Sequence, residues 1–265
     1  MVVAIVALLV SLLLPSLSKA RDQARASVCL GNLHRLGHAS LFYTQAHKVY
    51  APVRLKEVYH GGAWVPFVNR YGAAAPRWQW FFDYGVGPVV NAGGMAVNPD
   101  VMTNDLFMCP SLTGPFERNL RSGAYGFNYQ YLGNTLEKGA SRHVNWPVRE
   151  DRIRAPGRTV ELADSRGADV PHGAHTYALD PPRLAGEAGA TRYGPGSADG
   201  PRPYSPVEMR HNARGGVLFT DGHAERMHAR QLGYGLDEWG HAIPDAPGAN
   251  NRLWTGKGQD RAPVP

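Results

Sequence analysis

Histidine and aspartate carry most of the chemistry that the C-terminal half of this chain offers. In RHNARGGVLFTDGHAERM, residues 210–227, nine residues separate His211 from Asp221-Gly222, and His223 follows at once. His211, Asp221 and His223 are candidate metal ligands, drawn from a wider pool that includes His172, His175, His228 and Asp164. That pool contains no short zinc signature such as His-Glu-x-x-His, and its spacings are irregular. A nucleophilic site needs serine or cysteine on a sharp elbow beside a base, and neither Ser111 nor Cys109 has that context. The reading is therefore structural: His211 and Asp221 form a charge-assisted hydrogen bond between neighbouring strands, and Gly222 takes the positive φ of a tight turn. A cation or ligand site and a catalytic pair remain as alternatives. No cofactor is expected.

The elements that must position this stretch are short strands. Asp221-Gly222 between VLF and HAERM is a hairpin signal, and Asn212 to Gly216 supply a flexible turn before it. Period-2 geometry puts Val217 and Phe219 on one face and Leu218 on the other. RTVELAD (158–164) reads as a strand entered from Pro156-Gly157, and WVPFV (64–68) and WQWFFDYGV (78–86) have strand propensity. Residues 91–98 and the glycine- and proline-rich run 171–206 read as loops, and the tail from about residue 240 is polar. Glycine and proline together supply 31 + 21 = 52 of 265 residues, which favours turns and short strands over a helical body. The net charge of +6 is scattered, with no aromatic-basic stripe, so nucleic acid is not an expected partner.

The N-terminus is different. Residues 1–18 carry no charged side chain, and as a helix they would span about 27 Å, close to a bilayer's hydrocarbon core. Residues 19–50 continue as an amphipathic half, with Leu30, Leu33, Leu36 or Gly37, and Leu41 on one stripe. Pro15 is expected to kink this helix. A cleaved secretory signal with Ser16-Leu17-Ser18 at the cut, and a buried core helix, are the alternatives to a membrane stem. Lys19, Arg21 and Arg25 follow the apolar run, and the positive-inside rule alone would keep them in the cytoplasm.

The stem resembles that of bacterial prepilin-like proteins, in particular the group found in planctomycetes and related bacteria. The matching features are the apolar run ending in Leu-Leu-Pro-x-Leu, an Ala-Arg-rich turn, and Cys29-x-x-Asn32-Leu33-x-x-Leu36-Gly37. FMCPS (107–111), GAYGFNYQYLG (123–133) and RAPGRTVELADS (154–165) follow in order, and His211, Asp221 and Gly222 resemble the prepilin-associated His-x9-Asp-Gly motif. The resemblance implies an α+β, pilin-like fold: a long N-terminal helix packed on a mainly antiparallel β-sheet with long loops, its globular part spanning 51–240 before a tail at 241–265.

It further implies a structural, non-enzymatic pseudopilin-like or minor-pilin-like component of a type II secretion or type IV pilus-like system. The expected partners are inner-membrane lipid and other pilin-like subunits, with a single span and the globular part in the periplasm or on the cell surface. A membrane-anchored periplasmic binding module that does not polymerise is the runner-up, and a secreted metal-dependent hydrolase the third reading. The family's basic leader and Gly-Phe-Thr-Leu-Ile-Glu type processing site are not matched, since Met1 lies inside the apolar run. The expectation is a start codon placed too far downstream, with a leader in frame upstream that would also fix the orientation. With the body folded back on the stem in an oxidising compartment, Cys29 and Cys109 are expected to form one disulfide. Two separate buried thiols are the alternative.

Overall fold

The computed structural model describes residues 2–55, 57–66, 77–82, 104–112, 124–134, 146–165, 177–183, 205–243 and 246–260. The expected loop at 91–98, His172, His175, and parts of the runs 64–68, 78–86 and 171–206 lie outside these residues.

One helix, α1 (Val2–His47), takes the whole N-terminal segment and continues through Pro15. Pro15 has no N–H to donate to the Ser11 carbonyl, and the turns on either side are helical. The hydroxyls of Ser11 and Ser16 donate to the carbonyls of Leu8 and Leu13. At about 1.5 Å per residue the 46-residue helix is about 69 Å long. Its buried residues begin only at Ala26 and run through Cys29, Leu33, Leu36, Gly37, Ser40 and Thr44. The expected stripe is thus corrected in detail: Leu30 and Leu41 are only half-buried, and small or polar residues share the contact face.

The body is built on a four-stranded antiparallel sheet ordered β3 (Tyr125–Phe127), β6 (Val160–Asp164), β7 (Gly215–Phe219) and β8 (Ala224–Met227). Minor pairs flank it: β1 (Glu57–His60) with β2 (Ala63–Pro66), β4 (Gly133–Asn134) with β5 (Trp146–Pro147), and β9 (Gly235–Leu236) with β10 (Ala242–Ile243). A single helical turn, α2 (Tyr129–Leu132), links β3 to β4. WQWFF departs from the strand expectation. Trp78–Phe82 form a 3-10 helix, which lets Trp78 meet Phe82, Phe107 and Phe127 with ring centroids 5.3–6.2 Å apart.

The sheet separates two apolar cores. Leu33, Leu36, Leu162, Leu218, Tyr125 and Phe127 fill the side facing α1. Val160, Ala163, Val217 and Phe219 face Leu232, Tyr234 and Trp254 on the other. The alternation within β7 follows the period-2 reading. Trp254, in the segment that the sequence leaves as a polar tail, is fully buried, and its indole N–H donates to the Leu232 carbonyl at 3.0 Å.

Candidate functional site

The His-x9-Asp-Gly segment runs alongside α1, gripping it at four levels. At the first level His211 stands beside the Cys29–Cys109 disulfide, with Nε2 3.6 Å from Cys109 Sγ. At the second, Gly216 faces Leu33, whose Cδ1 would lie 2.8 Å from an added Cβ. Leu218 meets Gly37 at the third, where a Cβ on Gly37 would fall 2.7 Å from Leu218 Cδ1 and 3.1 Å from the Gly222 carbonyl oxygen. At the fourth, Gly222 itself abuts Leu41. Successive contacts at residues 29, 33, 37 and 41 mark one face of the helix. Gly37 is small because the Gly222 backbone approaches it closely, while Gly216 and Gly222 leave room for the side chains of Leu33 and Leu41.

The two cysteines are joined across a sequence separation of 80, with Cα atoms 5.2 Å apart. The Asn32 side chain donates to the Met108 carbonyl at 3.0 Å, and the Tyr125 hydroxyl to the Cys29 carbonyl at 3.3 Å. The disulfide is therefore embedded in a polar clasp that also fixes FMCPS, and chain direction changes at Pro110 and Ser111 as the proline suggests.

The expected His211–Asp221 bond is not formed. The two residues lie beyond opposite ends of β7, whose five residues alone span about 16 Å. His211 Nε2 instead lies 3.2 Å from Asp164 Oδ2 on β6, both side chains being buried. Asp164 Oδ2 also accepts the Gly216 N–H at 2.6 Å, while Arg210 Nε stands 3.8 Å from Asp164 Oδ1. The Arg210 guanidinium, itself buried, pairs with Glu208 at 2.8 Å and donates to the carbonyls of Ala124 and Ser165. This clamp joins β3, β6 and the approach to β7.

Asp221 serves the other end. Its Oδ1 accepts the His223 N–H and lies 2.5 Å from His223 Nδ1, while the His223 ring stacks on Phe219 at 4.4 Å. Gly222 has the expected positive φ of 91°. The candidate metal set His211, Asp221 and His223 is thus split between two places. His228, also in the candidate pool, lies 2.9 Å from the Ala213 carbonyl. The Asn212 to Gly216 turn is shorter than expected: Asn212 and Ala213 alone carry positive φ, 54° and 58°, and Gly215 and Gly216 belong to β7.

A third polar contact lies between β6 and the stem. The pairing of β6 with β7 shifts between Val160 and Leu162, so Glu161 is an extra residue and its side chain turns to the α1 side along with that of Leu162. There the Ser40 hydroxyl donates to its carboxyl, and burial pushes that carboxyl up to about 8, the Ser40 bond drawing it partway back. The acid within the apolar run VELAD was the available sign of this site, but only the bulge determines which way it points.

Compared with known proteins, the chain matches no family model, no curated protein and no solved structure. What its own geometry establishes is a long apolar N-terminal helix packed through its second half on an antiparallel sheet. That helix is long and apolar enough to cross a bilayer once, and none of its apolar window is buried by the body.

Proposed function

We propose that this protein is a membrane-tethered structural subunit of pilin-like type, a pseudopilin-like or minor-pilin-like component of a type II secretion or type IV pilus-like system. The observation that carries the reading is the division of α1. Residues 2–21 project about 30 Å from the body with Val3, Leu8, Leu12 and Leu13 more than 60 % exposed, whereas from Ala26 onward the same helix is gripped by the sheet. Apolar surface of that extent is stable only against lipid or another apolar surface. A buried core helix does not fit it, and an unbroken helix across Ser16-Leu17-Ser18 favours a retained stem over a cleaved signal. One helix then serves two ends: its apolar half partitions into the inner membrane, and packs against the stems of other subunits on assembly.

The disulfide supports a body on the oxidising, periplasmic side. The polar contacts of His211, Asp221 and Glu161 support a non-enzymatic role, since each is used in holding stem to sheet or turn to strand. A second reading, an anchored binding module that does not polymerise, is favoured by a polar cavity of about 210 Å³ lined by Asp22, Arg25, Ser111, Arg210, His211 and Asn212. Membrane fractionation followed by electron microscopy of the extracted full-length protein separates the two. The pilin-like reading predicts membrane-bound protein that forms extended multimers. Discrete particles at every concentration would favour the binding module, and protein in the soluble fraction would contradict both.

A further inference from the structure

We propose that Cys29, Cys109 and His211 form a redox-gated site for one thiophilic divalent cation of the zinc type, open when the disulfide is reduced and closed when it forms. Their donor atoms, two Sγ and His211 Nε2, all lie within 4.8 Å of one another and belong to buried residues. The Cys109–His211 pair already has the spacing that a metal requires, and the two sulfurs must part on reduction. A tetrahedral zinc ion with Zn–S of about 2.3 Å and Zn–N of about 2.0–2.1 Å sets sulfur and nitrogen donors about 3.6 Å apart. Cys109 Sγ and His211 Nε2 stand at 3.6 Å. Asp164 Oδ2, 3.2 Å from Nε2 and itself held by the Gly216 N–H, fixes the orientation of the His211 ring.

The three donors come from separate elements, α1, the segment before Pro110 and the turn into β7, and the disulfide clasp brings them together before any ion arrives. Access exists on two sides. Cys109 lines a cavity of about 390 Å³ with Val28, Asn32 and Met108, and His211 lines the polar cavity beside Ser111 and Asn212.

The opening step is thiol–disulfide exchange with a dithiol reductant. The Cys29–Cys109 bond breaks, the reductant's two thiols become its own disulfide, and their two electrons and two protons leave both cysteines as thiols. Binding the divalent cation releases those two protons, and the proton on His211 Nε2 moves to Nδ1 as Nε2 turns from Asp164 to the metal. Oxidation of the pair by a disulfide reverses the electron flow and expels the ion.

The test titrates full-length protein in detergent with Co(II), a spectroscopic stand-in for zinc, after reduction by a phosphine that carries no thiol. The expected result is a thiolate-to-cobalt charge-transfer band saturating at one ion per chain, displaced by Zn(II), and absent from the oxidised protein. The Cys29→Ser/Cys109→Ser double variant should show no band, and His211→Gln should bind at least about tenfold more weakly. Zn(II) should raise the melting temperature of the reduced wild type and leave that of the oxidised protein unchanged. A reduced wild type without the band, or His211→Gln binding as tightly as the wild type, overturns the proposal.

Discussion

Asp164 holds three groups at once: the His211 ring, the Gly216 N–H and, more distantly, the Arg210 guanidinium. The polar energetics of the motif therefore belong to residues 164 and 211, and not to 211 and 221. Removing His211 is expected to cost about 1–3 kcal/mol, and Asp164→Ala about 3–5 kcal/mol because Arg210 then loses a buried counter-charge. In a double-mutant cycle followed by denaturant melts, His211→Ala and Asp164→Ala should couple by about 0.5–3 kcal/mol, while His211→Ala and Asp221→Ala add to within about 0.5 kcal/mol. Coupling between 211 and 221 with none between 211 and 164 would contradict the geometry.

Sequence alone showed that His211 was polar and in a turn-rich strip, but its partner lies 47 positions upstream and is reached only through the β6–β7 register. Asp221-Gly222 was legible because its determinants, glycine at positive φ and a side chain bonding two residues on, are local. Ala213 is the opposite case, a β-carbon held at φ 58°. Ala213→Gly should stabilise the protein by about 1 kcal/mol in thermal melts, and a loss instead would mean that the turn relaxes in solution.

At the scale of elements, the seam between α1 and the sheet combines leucines with small residues at the closest approaches and one buried acid, Glu161. Gly37→Leu should lower stability by about 1–3 kcal/mol despite leucine's better helix propensity, because the Gly222 backbone oxygen leaves no room for it. An unchanged midpoint in denaturant would mean that the hairpin can move away from the stem.

Glu161 makes the same seam sensitive to pH. Its carboxyl is held up to about 8 in the folded protein against an ordinary value of 4.5, so between those values the folded state binds the extra proton. Its contribution is full below about pH 4.5, declines as pH rises and is lost above about pH 8, a change on the order of a few kcal/mol. Wild-type stability from urea melts should fall between pH 6 and pH 9, and Glu161→Gln should flatten that slope. A wild type that gains stability over this range would contradict the buried contact with Ser40.

The helix and the hairpin were readable from periodicity and from Asp-Gly. The 3-10 turn at WQWFF was not, because aromatic runs satisfy strand propensity and tertiary packing equally well. Nor was the bulge that aims Glu161, since it is visible only once β6 and β7 are paired.

At the scale of the whole molecule, the chain divides its one long helix between two environments. The body buries its own apolar surface on both faces of the sheet, even recruiting Trp254 from near the C-terminus. The stem's first half is left to surroundings outside the chain. Sequence made this division legible because the charge-free run ends at Lys19, about two turns before the first buried stem residue, Ala26. The account rests most heavily on stems meeting one another within the membrane.

That claim is tested most directly by placing a photo-reactive side chain at Leu9 or Leu13, both exposed along the apolar half, and irradiating cells that express the full-length protein. A ladder of covalent dimers and higher multimers is the predicted result, with a probe at buried Leu36 giving only cross-links within the chain. Monomer alone from both stem positions, at expression levels where the protein is membrane-bound, would contradict it.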